Sequence, residues 1–303
     1  MKAWVLDSVA ELKLKDVPIP QTRAGEVLVR VKAAGICQSD MARVFHAGAY
    51  RYPLIPGHEF SGVTACGRRV GVFPLLPCHA CDSCAAGRYE TCVDYDYLGS
   101  RRDGGFAEYV AVPEWNLVAL PDEMTFSQAA LLEPAAVALH AVRRLDLSDV
   151  RSVAVVGNGI IGRLVARWLF IKHGLVADVL GHDDVATPGY YDACFEAVGK
   201  ADALSRAIDL ARPGGQLVLI GNPGMDFRLG RETYWQILRK QLDVKGSWNS
   251  RYPADWQEAV AHAAALRLDS LISHRLGFAE LDAAFVSVRE KGGRYMKVVV
   301  EMD

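Results

Sequence analysis

No stretch of this 303-residue chain is apolar for long enough to cross a membrane, which removes integral membrane roles first. The N-terminus lacks the uninterrupted apolar core of a signal peptide: MKAWVLDSVAELKLKDVP carries acids where hydrocarbon is needed. There is no block of like charge either. Lysine plus arginine number 34 against 36 acids, the net charge is −2, and the cations are scattered. That balance makes no case for a nucleic-acid partner. The expectation is a cytoplasmic protein with neither membrane nor nucleic acid to bind. What is present is globular: 51% hydrophobic and 23% charged, at a length that suits two domains.

The seven cysteines are unevenly placed. Cys78, Cys81, Cys84 and Cys92 form C-x2-C-x2-C-x7-C inside PCHACDSCAAGRYETC. In a reducing compartment, thiols this close bind metal more readily than they form disulfides. A four-thiolate zinc, an iron–sulfur cluster and a redox pair with two bystanders all use such residues. The seven-residue gap fits neither ferredoxin spacing, which favours a structural zinc. Cys66 and Cys194 lie in apolar, strand-like settings and read as core residues.

A second cluster lies in GICQSDMARVFHAGAYRYPLIPGHEFSG, where Cys37, Ser39 and Asp40 precede Gly57, His58 and Glu59. Thiolate, imidazole and carboxylate are the ligand types of a catalytic zinc, which keeps one position open for water or substrate. Each residue alone has an ordinary structural reading; the weight comes from their company.

Alternation and turn signals predict strands over residues 2–6, 12–16, 26–34, 106–112 and 117–120, so both clusters sit in a β-rich domain. At Thr125 the period changes, and Thr125-Phe-Ser-Gln128 is a capping box that starts a helix. Glu133-Pro134 interrupts the apolar face beyond it, leaving Glu133 either inward-facing at a break or solvated at a helix end. Residues 152–156 then read as a strand, followed by Gly157-Asn158-Gly159-Ile160-Ile161-Gly162 and a helical run to His173. Strand, G-x-G-x-x-G and helix is the context in which a dinucleotide pyrophosphate meets a helix N-terminus. The bland alternative is a glycine-rich turn. Further strands at 193–197 and 217–220, the latter after the turn Pro213-Gly-Gly215, alternate with helices and argue a parallel doubly wound sheet.

Cys37-x-Ser-Asp40, Gly57-His-Glu59, the four-cysteine lobe, Asp103-Gly-Gly-Phe-Ala-Glu-Tyr109, Glu133-Pro134, Gly157 to Gly162, Arg212-Pro-Gly-Gly215 and Met296-Lys-Val-Val299 stand in one order along the chain. In that order they resemble the zinc-dependent medium-chain dehydrogenases, within them the polyol branch. The resemblance spans nearly the whole sequence. It implies a GroES-like β-rich catalytic domain over 1–144 and 269–303, and a truncated Rossmann-like NAD(P)-binding domain over 145–268. It implies two zinc ions per chain, one structural and one catalytic. The catalytic ion would take Cys37, His58 and Glu133, with Glu59 as an alternating fourth ligand. Ser39 would be the proton relay, and Asp40 the acceptor that orients His58. The expected activity is hydride transfer between NAD(P) and a secondary alcohol of a small polyol or polyol phosphate, by a homo-dimer or homo-tetramer. A cyclitol or other secondary-alcohol dehydrogenase is the alternative, and a non-catalytic zinc-stabilised binding protein a third reading.

Two departures from the family pattern stand out. Between Gly62 and Gly71 the chain reads only VTACGRRV, a trimmed turn. After the first nucleotide-domain helix, GLVADVLGHDDVATPGYYDACFEAVG passes almost directly to the strand around Phe195. A helix and a strand are missing, so the sheet should have one strand fewer than a full six. Asp183 and its neighbour Asp184 fall near the position of the ribose-binding acid and favour NAD, since a 2′-phosphate would meet like charge; NADP stays open. For the substrate, Arg101 and Arg102 could clamp a phosphate or simply pair with Asp103 or Asp96, and Trp248 is a candidate wall of the site.

Overall fold

The computed structural model describes residues 1–291 and 295–302. Two compact units emerge: Met1–Glu133 with Arg251–Asp303, and Pro134–Ser250. These divisions fall earlier than the boundaries at 144/145 and 268/269 expected from sequence, for packing reasons. The first lies inside the helix Leu132–Val142, where Trp168 Nε1 donates to the Ala135 carbonyl at 2.8 Å and ties the second turn into the nucleotide-type unit. At the second, Tyr252 stacks on Phe73 at 4.6 Å and Trp256 meets the same ring edge-on, joining residues 251 onward to the β-rich unit.

The first unit is built on a seven-stranded sheet. The strand Glu26–Gly35 is its hub, pairing antiparallel with Glu59–Thr64, Tyr109–Pro113 and Lys297–Glu301. Its buried residues Val29, Val31 and Ala34 join Phe60, Val70, Val72, Phe106 and Val300 in one core. The hub matters for chemistry: it delivers Cys37 at one end and sets Glu59 opposite Gly35. The trimmed segment is a short connection between Glu59–Thr64 and Arg69–Val72, with Gly67 at φ +83°. Cys66, expected in the core, is instead exposed there, because the tight turn puts it at the surface with its thiol 3.2 Å from the Thr64 hydroxyl.

Backbone crossings fix the Gly-His-Glu segment. Gly104 and Gly105 donate to the carbonyls of Ile55 and Gly57 at 2.8 and 2.7 Å, and a Cβ on Gly104 would lie within 2.0 Å of the Gly57 oxygen. The Asp-Gly-Gly motif is therefore a packing requirement of the loop that carries His58. At Thr125 the capping box forms as expected: Thr125 Oγ1 accepts from Gln128 N, and Gln128 Oε1 from Thr125 N.

The second unit contains a five-stranded parallel sheet in the order Ala177–Leu180, Val153–Val156, Tyr191–Glu196, Ala211–Leu219, Asp243–Gly246. That is the doubly wound order with its outermost strand absent. No helix or strand lies between Leu180 and Tyr191, so Ala177–Leu180 is left at the edge. The Arg-Pro-Gly-Gly segment is absorbed as an irregularity within Ala211–Leu219, with Gly214 at φ +72°. Ala154, Cys194, Ala207, Ile208 and Leu217 are fully buried at the centre of this unit's core. No helix among the described residues is long and apolar enough to cross a membrane.

Candidate active site

The four cysteines of the lobe converge. Their sulfurs lie within 4.8 Å of one another, with Cys78–Cys92 at 3.5 Å, Cys81–Cys92 at 3.9 Å and Cys78–Cys84 at 4.0 Å. A Zn–S bond of about 2.3 Å puts tetrahedral corners about 3.8 Å apart, so the donor set fits the ion. The thiols are unequal. Backbone N–H groups of Val93 and Cys84 bring Cys81 down to about 6, whereas burial pushes Cys84 up to about 12. Gathering four thiolates here requires a divalent cation among them. Cys92→Ser should drop the melting temperature by several degrees and release one zinc per chain, read by calorimetry and metal analysis.

The second group assembles from three elements. Cys37 ends the loop after the hub strand, Asp40 lies in the helix Gln38–Ala42, and His58 precedes Glu59–Thr64. Ligand atoms of Cys37, His58 and Glu59 lie within 4.8 Å of one another. His58 is buried, and its Nδ1 faces Asp40 Oδ1 at 3.2 Å, which directs Nε2 the other way. Asp40 Oδ2 accepts from the Cys37 amide at 3.1 Å. Burial opposes charge on this imidazole, yet Asp40 and Cys37 outweigh it and hold its pKa well above the usual histidine range. Asp40 likewise stays below its ordinary value despite burial, through His58 and Arg43.

The two glutamates differ in compensation. Glu59 is held by Lys297, whose Nζ lies 2.8 and 2.5 Å from its carboxylate oxygens and 3.1 Å from the Ile36 carbonyl. Glu133 has a single long bond, from the Tyr97 hydroxyl at 3.4 Å. Burial and the neighbouring Glu59 raise Glu133 to about 7, with His58 and Lys297 acting the other way. Glu133 lies outside the trio that converges within 4.8 Å. It is nevertheless a half-buried carboxylate with no ion pair closer than 4 Å among the described residues, a charge that a metal would neutralise. Thiolate, imidazole and two carboxylates fit a zinc ion with an open position.

Sequence reasoning missed Lys297 and Tyr97. The lysine was legible as a lone charge in Met-Lys-Val-Val-Val, where a buried strand forces it to find an acid. Tyr97, whose ring lies 5.9 Å from His58, left no local signal, since a two-residue strand brings it in. The substrate candidates are not gathered. Arg102 is paired with Glu26 at 2.7 Å, not with Asp103 or Asp96, and Asp103 is taken by Arg51. Arg101 lies over the Tyr50 and Tyr95 rings and donates to the Tyr95 carbonyl. Trp248 follows the strand Asp243–Gly246 in the other unit and is half exposed.

The glycine loop performs three separate tasks. Gly157 has φ +121°, a turn that L side chains rarely make. A Cβ on Gly162 would strike the Gly157 oxygen at 1.9 Å, so this glycine lets helix and strand close. A Cβ on Gly159, the N-cap of the helix Ile160–His173, would meet no protein atom within 4 Å. Packing does not require glycine there, and the open space at the helix N-terminus leaves room for a pyrophosphate. Asn158, Ile160 and Ile161 complete the turn and first helical residues. Gly159→Asp should therefore fold normally and weaken NADH binding by about tenfold or more, measured by fluorescence titration. Unchanged binding would show that the loop does not carry the dinucleotide. Asp183 is almost fully exposed beside His182, while Asp184 caps the Gly181 amide at 2.7 Å.

Comparison with known proteins agrees with this geometry. Residues 23–122 match the family model "Alcohol dehydrogenase GroES-like domain", and residues 175–265 match "Zinc-binding dehydrogenase". The chain is 32% identical to galactitol 1-phosphate 5-dehydrogenase of Escherichia coli K12, over 92% of this chain and 93% of that one. The crystal structure of galactitol-1-phosphate dehydrogenase from E. coli superposes with a TM-score of 0.88 at 30% identity, covering 99% of this chain and 100% of the other. A zinc-binding dehydrogenase from Sinorhizobium meliloti bound to NADP follows at 0.86 and 26%, with 99% and 98% covered. Sorbitol dehydrogenase of Bacillus subtilis is 29% identical over 75% of this chain and 76% of its own. With these matches over most of its length, the chain belongs to the zinc-dependent, NAD(P)-linked medium-chain alcohol dehydrogenase family.

Proposed function

We propose that this enzyme oxidises a secondary hydroxyl of a small polyol, or of its phosphate monoester, with NAD as acceptor, and reduces the corresponding ketone in reverse. The observation that carries the reading is the convergence of the Cys37, His58 and Glu59 ligand atoms within 4.8 Å of one another. In this reading Cys37, His58 and Glu133 hold the catalytic zinc, and Glu59, neutralised by Lys297, is the alternate carboxylate. Bound there, zinc would supply a Lewis acid that lowers the pKa of a coordinated hydroxyl far towards neutrality. A bound NAD would supply the hydride acceptor.

The chain's own residues position and neutralise. Asp40 locks the His58 ring so that a single nitrogen faces the donor set. Ser39, two residues beyond Cys37 on the same short helix, takes up the hydroxyl proton and passes it outward. Asp183 and Asp184 at the end of the edge strand favour NAD over NADP. A homo-dimer or homo-tetramer is part of the proposal.

An NAD-reduction assay on galactitol 1-phosphate, galactitol, sorbitol and a cyclitol tests this directly. Turnover of an acyclic polyol or its phosphate supports the reading. Activity confined to the cyclitol would transfer the enzyme to the alternative class.

A further inference from the structure

The pairings of Arg102 and Arg101 leave the question of how a phosphorylated substrate would be held, and another arginine answers it. Arg43 follows the helix Gln38–Ala42 and lies one turn beyond Ser39, on the same face. Its Nη1 reaches Asp40 Oδ1 at 3.3 Å and the Ser39 carbonyl at 3.5 Å. The same Asp40 oxygen receives His58 Nδ1 at 3.2 Å. The guanidinium is thus linked through Asp40 to the imidazole of the zinc-ligand group, and it shares a helix face with Ser39. The side chain is only 13% exposed, yet among the described residues no protein acceptor meets its Nε or Nη2.

We propose that Arg43 is the anchor for the phosphate of a polyol phosphate monoester, a proposal that rests on the polyol dehydrogenase reading above. One edge of the guanidinium is fixed by Asp40, so its planar fork is ordered before substrate arrives. The other edge offers two parallel N–H donors, the arrangement that takes a phosphate bidentately. Lys297 pairs with Glu59, Arg102 with Glu26 and Arg51 with Asp103, as Arg43 does through one edge with Asp40. Arg101 is flattened over two tyrosine rings. An uncharged polyol would give no return for keeping a half-desolvated cation beside the proton relay.

The test uses the zinc-loaded enzyme and the variants Arg43→Gln and Arg43→Lys. The first readout is the ratio of kcat/KM for galactitol 1-phosphate to that for galactitol. The second is inorganic phosphate binding by isothermal titration. In Arg43→Gln the ratio should fall about tenfold or more, phosphate binding should weaken in step, and Arg43→Lys should recover part of both. An unchanged ratio overturns the proposal. So does an equal loss on both substrates, which would mean that Arg43 acts through Asp40 and His58. A rise confined to the KM for NAD overturns it as well. If the parent enzyme oxidises neither polyol, the functional reading fails, and the phosphate titration still decides Arg43: binding lost in Arg43→Gln sustains the anion site, and equal binding removes it.

Discussion

Replacing Lys297 with methionine should lower the unfolding free energy by about 3–5 kcal/mol, the cost of leaving a buried carboxylate without its partner. Lys297 and Glu59 are 2% and 1% exposed, so solvent does little to screen the loss. The stranded Glu59 would also repel Glu133, whose carboxyl is already raised by it. Adding Glu59→Gln to Lys297→Met should recover most of the stability, because the second change removes the uncompensated charge. Urea denaturation of the two single variants and the double variant reads this cycle. A cost below about 1 kcal/mol for Lys297→Met would place the pair among weak surface-type bridges. The pH course has a definite sign. Burial disfavours the ammonium, but Glu59 and Cys37 raise its pKa above the ordinary lysine value. Its contribution is therefore complete below the unfolded-state pKa and lost only as pH rises through the folded one, leaving the neutral range flat.

Glu133→Ala should cut turnover by on the order of 10³-fold while the fold survives, since several kcal/mol of charge stabilisation go with the zinc. Metal analysis should fall from two zinc ions per chain towards one, and the four-cysteine site should keep its ion. Glu59→Gln should retain two, because in the proposed reading Glu59 is only the alternate carboxylate, and Lys297 already pairs with it. The opposite pattern, zinc lost from Glu59→Gln and kept in Glu133→Ala, would make Glu59 the ligand. Uptake should also depend on pH in a set direction. With Glu133 raised to about 7, its proton must leave before it can ligate, so zinc affinity weakens as pH falls through that value.

Much of the catalytic chemistry was readable because its signals are local. Four cysteines within fifteen residues need no fold to announce a metal lobe, and a capping box such as Thr125–Gln128 is four residues long. The glycine loop was legible for the same reason, although only the structure separated the steric duty of Gly162 from the open space at Gly159. The paired arginines left a phosphate clamp and ordinary ion pairs both open. Adjacency in sequence suggested a clamp, but neighbouring side chains diverge, and Glu26, 76 residues away, captured one of them. Cys66 did mislead: its apolar flanks suggested a core, while the shortened hairpin turned it out to solvent.

By itself the sequence determined the donor types, the two metal clusters, the β-rich unit, the parallel sheet and the loss of one strand from it. Each of these follows from residue spacing, from side-chain period or from a segment too short to hold another element. Tertiary structure alone decided which carboxylate is ion-paired, because Lys297 reaches Glu59 across 238 residues of chain. It likewise decided that Asp40 shares one oxygen between His58 and Arg43, 18 and three residues away. Charge compensation in a buried site depends on contacts of a few ångströms between strands distant in sequence, and no local pattern records them.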